Sequence, residues 1–229
     1  MTGFSPHSRL LVPESLQETV YRLEEVRQGF RKCSGKEIQE AVNWVLQRQG
    51  LKGSYRGLFA PTEKDLAEGL QTLTGEKYPG RQALTSHILG EEALRAVILW
   101  SRGSHPAAVK ALTSFKEIMD SAPGGRYCCY NCTIGFLRAL SVVKLKGSGE
   151  ILGKGIGNIK RMREACGRWR GFPFYYTLLA LSEMNVPSAK AELKHAGKTA
   201  QKLVGKYEGR VDRVSRFRAI GLKAAVNAL

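Results

Sequence analysis

Gly53-Ser54-Tyr55-Arg56-Gly57-Leu58 and Gly167-Arg168-Trp169-Arg170-Gly171-Phe172 share one pattern, G-x-[YW]-R-G followed by an apolar residue. They stand 114 residues apart in a chain of 229. The same shift lays Val20, Leu23 and Val26 on Ile134, Leu137 and Leu140, and Ile38, Val42 and Val45 on Leu152, Ile156 and Ile159. Self-similarity at a fixed offset marks a duplicated structural unit. The chain therefore reads as five helices, a Pro123-Gly124-Gly125 joint and five helices again. Residues 1–122 and 126–229 are the two similar five-helix halves, within one continuous domain. The motif itself has a local physical reason. Its first Gly ends a helix in the left-handed conformation, and the aromatic ring packs under the turn. The Arg stacks on that ring or caps carbonyls of the preceding helix, and the second Gly lets the chain reverse.

Outside these turns the apolar residues recur at helical spacing almost throughout. Ser34 and Glu37 form a capping box that opens one helix. Thr62 opens another, expected to run past Leu66, Leu70 and Leu73 to Gly75. Ser104-His105-Pro106 starts a further one. Phe172 to Leu181 is apolar nearly all round and is expected to be a central, buried helix. Residues 189–207 and 210–228 are the last two. Strand-type alternation is nearly absent, so the fold class is all-α.

Gln49-x3-Gly53-x-Tyr55 resembles the Q-x3-G-x-W signature of triterpene cyclases, with Tyr in place of Trp. The second copy keeps Gly167 and Trp169 but has Arg163 in place of Gln. The surrounding helical hairpins are similar to the α/α-toroid of those cyclases and of the protein prenyltransferases. The resemblance implies inward-facing helices around an apolar, aromatic-lined cavity for an isoprenoid-like ligand. It does not extend to the reaction. Asp65, Asp120 and Asp212 are too scattered to make a D-x-D-D proton donor or a D-D-x-x-D magnesium site.

Composition narrows the function classes. Apolar residues make up 43% of the chain, enough for a sizeable core, which excludes global disorder. No apolar run reaches the ~18 residues of a membrane-spanning helix. The first residues lack a basic stretch followed by an apolar one, so no secretory signal is expected. With five cysteines, an odd number, this suggests reduced thiols and a cytoplasmic location. The formal net charge is +16, and it is uneven: residues 115–229 carry 21 basic and 8 acidic side chains. Such a half attracts polyanions.

Four groups of residues carry candidate chemistry. His87 and Glu91 share a helix face, with Glu92 beside them. They suit a general acid–base pair, and equally a core hydrogen bond. Cys129 and Cys132 form one C-x-x-C, which with His87 or Cys166 makes a metal set for zinc, or else a redox pair or two small core hydrophobes. Tyr55, Tyr130, Asn131, Trp169, Phe172, Tyr175 and Tyr176 are the expected ligand-binding residues, with Phe174 in the same aromatic cluster; ordinary core packing is the alternative. Lys190, Lys194, Lys198, Lys202 and Lys206 recur every four residues, and Arg210, Arg213, Arg216 and Arg218 follow. Lys154, Lys160, Arg161, Arg163, Arg168 and Arg170 extend this set toward a continuous cationic surface for nucleic acid. Gly153-Lys154-Gly155-Ile156-Gly157 resembles a helix-hairpin-helix turn, whose backbone N–H groups hold a DNA phosphate. The leading expectation is a protein that binds a small lipophilic ligand. Nucleic-acid binding through the basic half and a metal-dependent enzyme centred on His87, Glu91 and Cys132 are the alternatives.

Overall fold

A computed structural model describes residues 9–101 and 105–229. Ten α-helices and one short hairpin are the regular structure of those residues, so the all-α class holds. The chain divides into two compact units. The first takes the described residues up to Leu70 together with Lys77–Ile118, and the second takes Gln71–Glu76 together with Met119–Leu229.

In the first unit, α1 (Leu16–Arg27) begins at Ser15, whose hydroxyl accepts from the Glu18 N–H. Helix α2 (Gly35–Gln47) carries the expected Ser34–Glu37 capping box, and α3 (Glu63–Glu68) carries a second one between Thr62 and Asp65. Asp65 is buried, and it also accepts from the Ser15 hydroxyl (2.7 Å) and the Leu16 N–H (2.9 Å). One carboxylate thereby satisfies the N-termini of two helices. Helix α4 (Gln82–Ser101) is buried at every position from Leu84 to Val97 except Ser86. Its Arg95 meets Glu24 of α1 at 2.7 Å, both nearly solvent-free. Helix α5 (Pro106–Ser121) starts on a proline, which suits a first helical position. Ser104, expected in its cap, lies outside the described residues.

Helix α3 stops at Glu68, short of the expected run through Leu70 and Leu73. Gly69 is the reason: its φ is +75°, and a Cβ there would meet the Tyr78 carbonyl oxygen at 2.7 Å. The chain then forms a small ladder between β1 (Leu70–Gln71) and β2 (Lys77–Tyr78).

In the second unit, α6 (Tyr130–Leu140) and α7 (Ser148–Arg161) pair up, followed by α8 (Phe174–Ser182), α9 (Pro187–Val204) and α10 (Arg213–Val226). Helix α10 packs on both α8 and α9. It comes close enough to α8 that a Cβ at Gly221 would lie 2.9 Å from Leu178 Cβ. Helix α8 has Pro173 at its N-cap and no side-chain cap of its own. Glu76 supplies one from a distance, accepting the Tyr176 N–H at 3.3 Å while Thr72 and Thr74 donate their hydroxyls to it. Arg138, fully buried on α6, donates twice to Glu183 at the end of α8, at 2.7 and 3.0 Å.

The internal likeness takes a specific form. Helices α1 and α6 begin 114 residues apart, and α2 and α7 begin 113 apart. After the second helix of each pair the chain folds back on itself, with Gln49 bridged to Phe59 and Arg163 bridged to Trp169. The first arm of the turn thus keeps the offset of 114, but the return arm has 110. Trp169 therefore corresponds to Phe59, and not to Tyr55 as the motif alignment implies. The first turn, four residues longer, contains a 3₁₀ turn at Tyr55–Gly57, with Arg56 left-handed at φ 46°.

The glycines of Gly153-Lys154-Gly155-Ile156-Gly157 lie inside α7, so this segment is not a phosphate-holding hairpin turn. The apolar stripe of Leu152, Ile156 and Ile159 carries the helix straight through it. Gly155 is there for close packing: a Cβ would strike Leu137 of α6 and come within 3.0 Å of the Gly125 carbonyl.

Removing one partner of a buried ion pair strands the other charge away from water. Arg138→Ala is expected to destabilise the second unit by about 3–5 kcal/mol. The double variant R138M/E183L, which removes both charges and keeps the volume, is expected to recover most of that. Urea unfolding followed by circular dichroism measures both.

Candidate functional site

Helix α9 brings together the largest group of candidate residues. Its inner face is set by Glu192, which is 1% exposed. Arg163 donates to that carboxylate through Nε and Nη2 at 3.0 and 2.8 Å, and the Trp169 indole N–H donates at 2.9 Å. Ala189, Leu193, Ala196, Gly197 and Ala200 complete the buried stripe. A ladder of side chains four apart drifts by about 40° per step around a helix of 3.6 residues per turn. Lys190, Lys194, Lys198, Lys202 and Lys206 nevertheless all stay across from the buried stripe, and all five are exposed. Lys190 to Lys202 lie on α9 and span about 18 Å of its axis at ~1.5 Å per residue, and Lys206 follows on the turn after the helix. None of them is held in an ion pair among the described residues; Lys206 lies over the Tyr207 ring, 5.8 Å from its centroid. A groove of about 460 Å³ opens beside the first two, lined by Lys190, Lys194, Leu193, Ala224 and Asn227 among others.

The rest of the expected cationic surface is partly consumed internally. Arg163 is committed to Glu192, and Arg138 to Glu183. Lys154 pairs with Glu150, and Lys223 with Glu208. Arg168 covers the Phe174 ring at 4.7 Å. Arg218 donates to the Thr74 carbonyl and the Tyr207 hydroxyl and lies 4.3 Å from the Tyr175 ring centroid, so it braces the interior of the unit. Arg210 is exposed on the turn after α9, and Arg213 is half-buried at the start of α10.

The aromatic residues pack against one another. Trp169, Phe172, Phe174 and Tyr176 are all buried. Ring centroids are 6.1 Å apart for Trp169–Phe174, 5.3 Å for Phe174–Tyr175 and 4.8 Å for Tyr130–Phe172, the last with Arg126 over the Tyr130 ring. These spacings suit edge and tilted ring packing in a core. Tyr130, Asn131 and Tyr175 keep partial exposure, as does Tyr55 in the first unit. None of the aromatic candidates lines the groove on α9, or the cavity of about 380 Å³ in the first unit bounded by Leu10, Pro13, Glu37 and Glu40.

Sequence spacing missed the Tyr175–Tyr207–Arg218 group, because its members come from α8, the turn after α9 and α10. The two hydroxyls are 3.1 Å apart. Burial, then the hydrogen bond to Tyr207, pushes Tyr175 up to about 12. Burial also opposes ionisation of Tyr207. Hydrogen bonds from Tyr175 and Arg218, and the Arg218 charge, outweigh it and hold Tyr207 below the ordinary tyrosine range.

His87, Glu91 and Glu92 all lie buried on α4. The His87 ring sits 3.6 Å from the Tyr55 ring, centroid to centroid. In the second unit Cys129 is the N-cap of α6 and half-buried, while Cys132 is buried in the first turn. The thiol that approaches Cys132 is that of Cys128, with the two Sγ atoms within 4.8 Å. Cys166 is exposed on the turn after α7.

Burial, and secondarily the Arg56 charge, lowers the His87 pKa. The unfolded chain therefore binds a proton that the folded one refuses below about pH 6.5, and stability falls as pH falls through that window. The urea midpoint is expected to drop further between pH 7.5 and 5.5 in the native chain than in His87→Gln. Alkaline difference spectroscopy gives a second check: Tyr207 ionises before Tyr175, and Arg218→Met moves Tyr207 upward.

No protein-family model and no curated protein matches this chain.

Proposed function

We propose that the second unit binds the phosphate backbone of a nucleic acid, with α9 as the contact surface. The observation that carries this reading is the row of exposed lysines along one face of α9, unmatched by acids. The only acid on the helix is Glu192, and it is turned inward and already neutralised. Elsewhere in the unit Glu150, Glu183 and Glu208 each hold a basic side chain. Asp212 caps α10 and Glu76 caps α8. Exposed Lys144, Lys146, Lys160, Arg161 and Arg170 add basic charge elsewhere in the unit, and α9 contributes to it an uninterrupted row of lysines. Phosphate contacts need only cationic groups within reach and no base-specific pattern, so the reading predicts affinity without strong sequence preference.

A second reading keeps the small lipophilic ligand implied by the likeness to prenyltransferase-type helical hairpins. The repeated pairs α1–α2 and α6–α7 support it. Buried packing of Trp169, Phe172, Phe174 and Tyr176 leaves it fewer lining residues.

Fluorescence anisotropy against a random DNA duplex and a random RNA oligomer, over a salt series, separates the two. Five lysine–phosphate contacts give a slope of log affinity against log salt of roughly −4 to −5 on duplex DNA. K194Q/K198Q/K202Q changes only exposed side chains, and it is expected to flatten that slope by about 3. An unchanged slope, or no binding by the native chain at low salt, overturns the proposal.

A further inference from the structure

We propose that Cys128 and Cys132 form a two-thiolate site for a thiophilic closed-shell ion of the Cu(I), Zn(II) or Cd(II) kind. The site lies apart from the α9 surface and does not depend on that reading. Its first support is distance. The two Sγ atoms lie within 4.8 Å, so their midpoint is about 2.4 Å or less from each, close to the ~2.3 Å of a metal–thiolate bond. Thiolates select soft ions of this group over magnesium or calcium.

The second support is preorganisation. Thr133, buried on α6, accepts from the Tyr127 N–H at 3.0 Å, and its hydroxyl lies 2.9 and 2.8 Å from the Tyr127 and Cys129 carbonyl oxygens. These bonds tie the residues on both sides of Cys128 to the helix that carries Cys132. Cys128 itself has φ 51°, in the left-handed region where a side chain is disfavoured. A glycine would relieve that strain, yet a cysteine stands there.

The third support is access. Cys132 lies in the first turn of α6, next to the segment that carries Cys128. Cys132 is buried and Cys128 is exposed, so one ligand is shielded and the other provides an entry path.

The test uses the full chain, reduced and stripped of metal, under anaerobic conditions. Cd(II) is titrated while the thiolate-to-metal charge-transfer band is followed, and Cu(I) is titrated against a chromophoric chelator. The expected result is one ion per chain with a band of two-thiolate intensity. Even loss of an outer-shell partner typically weakens a metal site 10–100-fold, so C128S and C132S are each expected to lose at least about 100-fold. C129S, C33S and C166S are expected to keep the affinity. C128S alters an exposed position, so it remains informative if C132S fails to fold. Absence of binding by the native chain, or binding that survives C128S or is abolished by C129S, overturns the proposal.

Discussion

A carboxylate taken out of water must be met by charge and hydrogen bonds, and Glu192 is the carboxylate on which the basic surface depends. Arg163 and Trp169 meet it from the turn after α7. Those three contacts fix the rotation of α9 about its own axis. With Glu192 held inward, residues two before it and two, six and ten after it face solvent, and all four are lysines; Lys206 continues the series on the turn after the helix. Arg163 neutralises Glu192 and keeps part of its surface exposed, so it orients the cationic face while its charge is already committed.

The two units answer the same constraint in opposite ways. Glu24 on α1 and Arg138 on α6 are 114 residues apart and stand at matching helix positions, yet one is an acid and the other a base. Each is buried, and each has a partner of opposite sign, Arg95 in one unit and Glu183 in the other. The position tolerates either sign provided that the charge is paired. The turns diverge similarly. Gln49 donates to the Gly57 carbonyl at 2.9 Å and so holds its own loop. Arg163, at the matching place, reaches across to α9 instead. A shorter return arm in the second unit puts a tryptophan opposite Arg163, and its indole N–H becomes the third contact to Glu192.

Much of this was legible in residue order. Periodicity with capping and break signals indicated all ten helices, though α3 was expected to run too far, and the Ser34–Glu37 capping box formed as its spacing required. The exposed lysines of α9 followed from the same stripe. What the sequence concealed was geometry set by distant partners. Nothing near Leu70 reveals that Gly69 must clear the Tyr78 carbonyl, so a helix was expected where a hairpin forms. Nothing near Arg218 reveals that Thr74 and two tyrosines will claim it, so it was counted with the surface bases. The aromatic run from Trp169 to Tyr176 reads equally as cavity lining or as core, and only ring-to-ring distances show that its members pack on each other. The approach of Cys128 to Cys132 is not legible in residue order, because C-x-x-C draws attention to Cys129 and nothing in the spacing reveals the left-handed backbone at Cys128.

The central claim is that α9 presents its lysines to a nucleic-acid backbone. Lysine acetylation footprinting by mass spectrometry, with and without a saturating RNA oligomer, reads that surface directly. Protection concentrated at Lys190, Lys194, Lys198, Lys202 and Lys206, with Lys36, Lys52 and Lys64 unchanged, is the predicted result. Protection confined to lysines outside α9, or no protection at all, would contradict it.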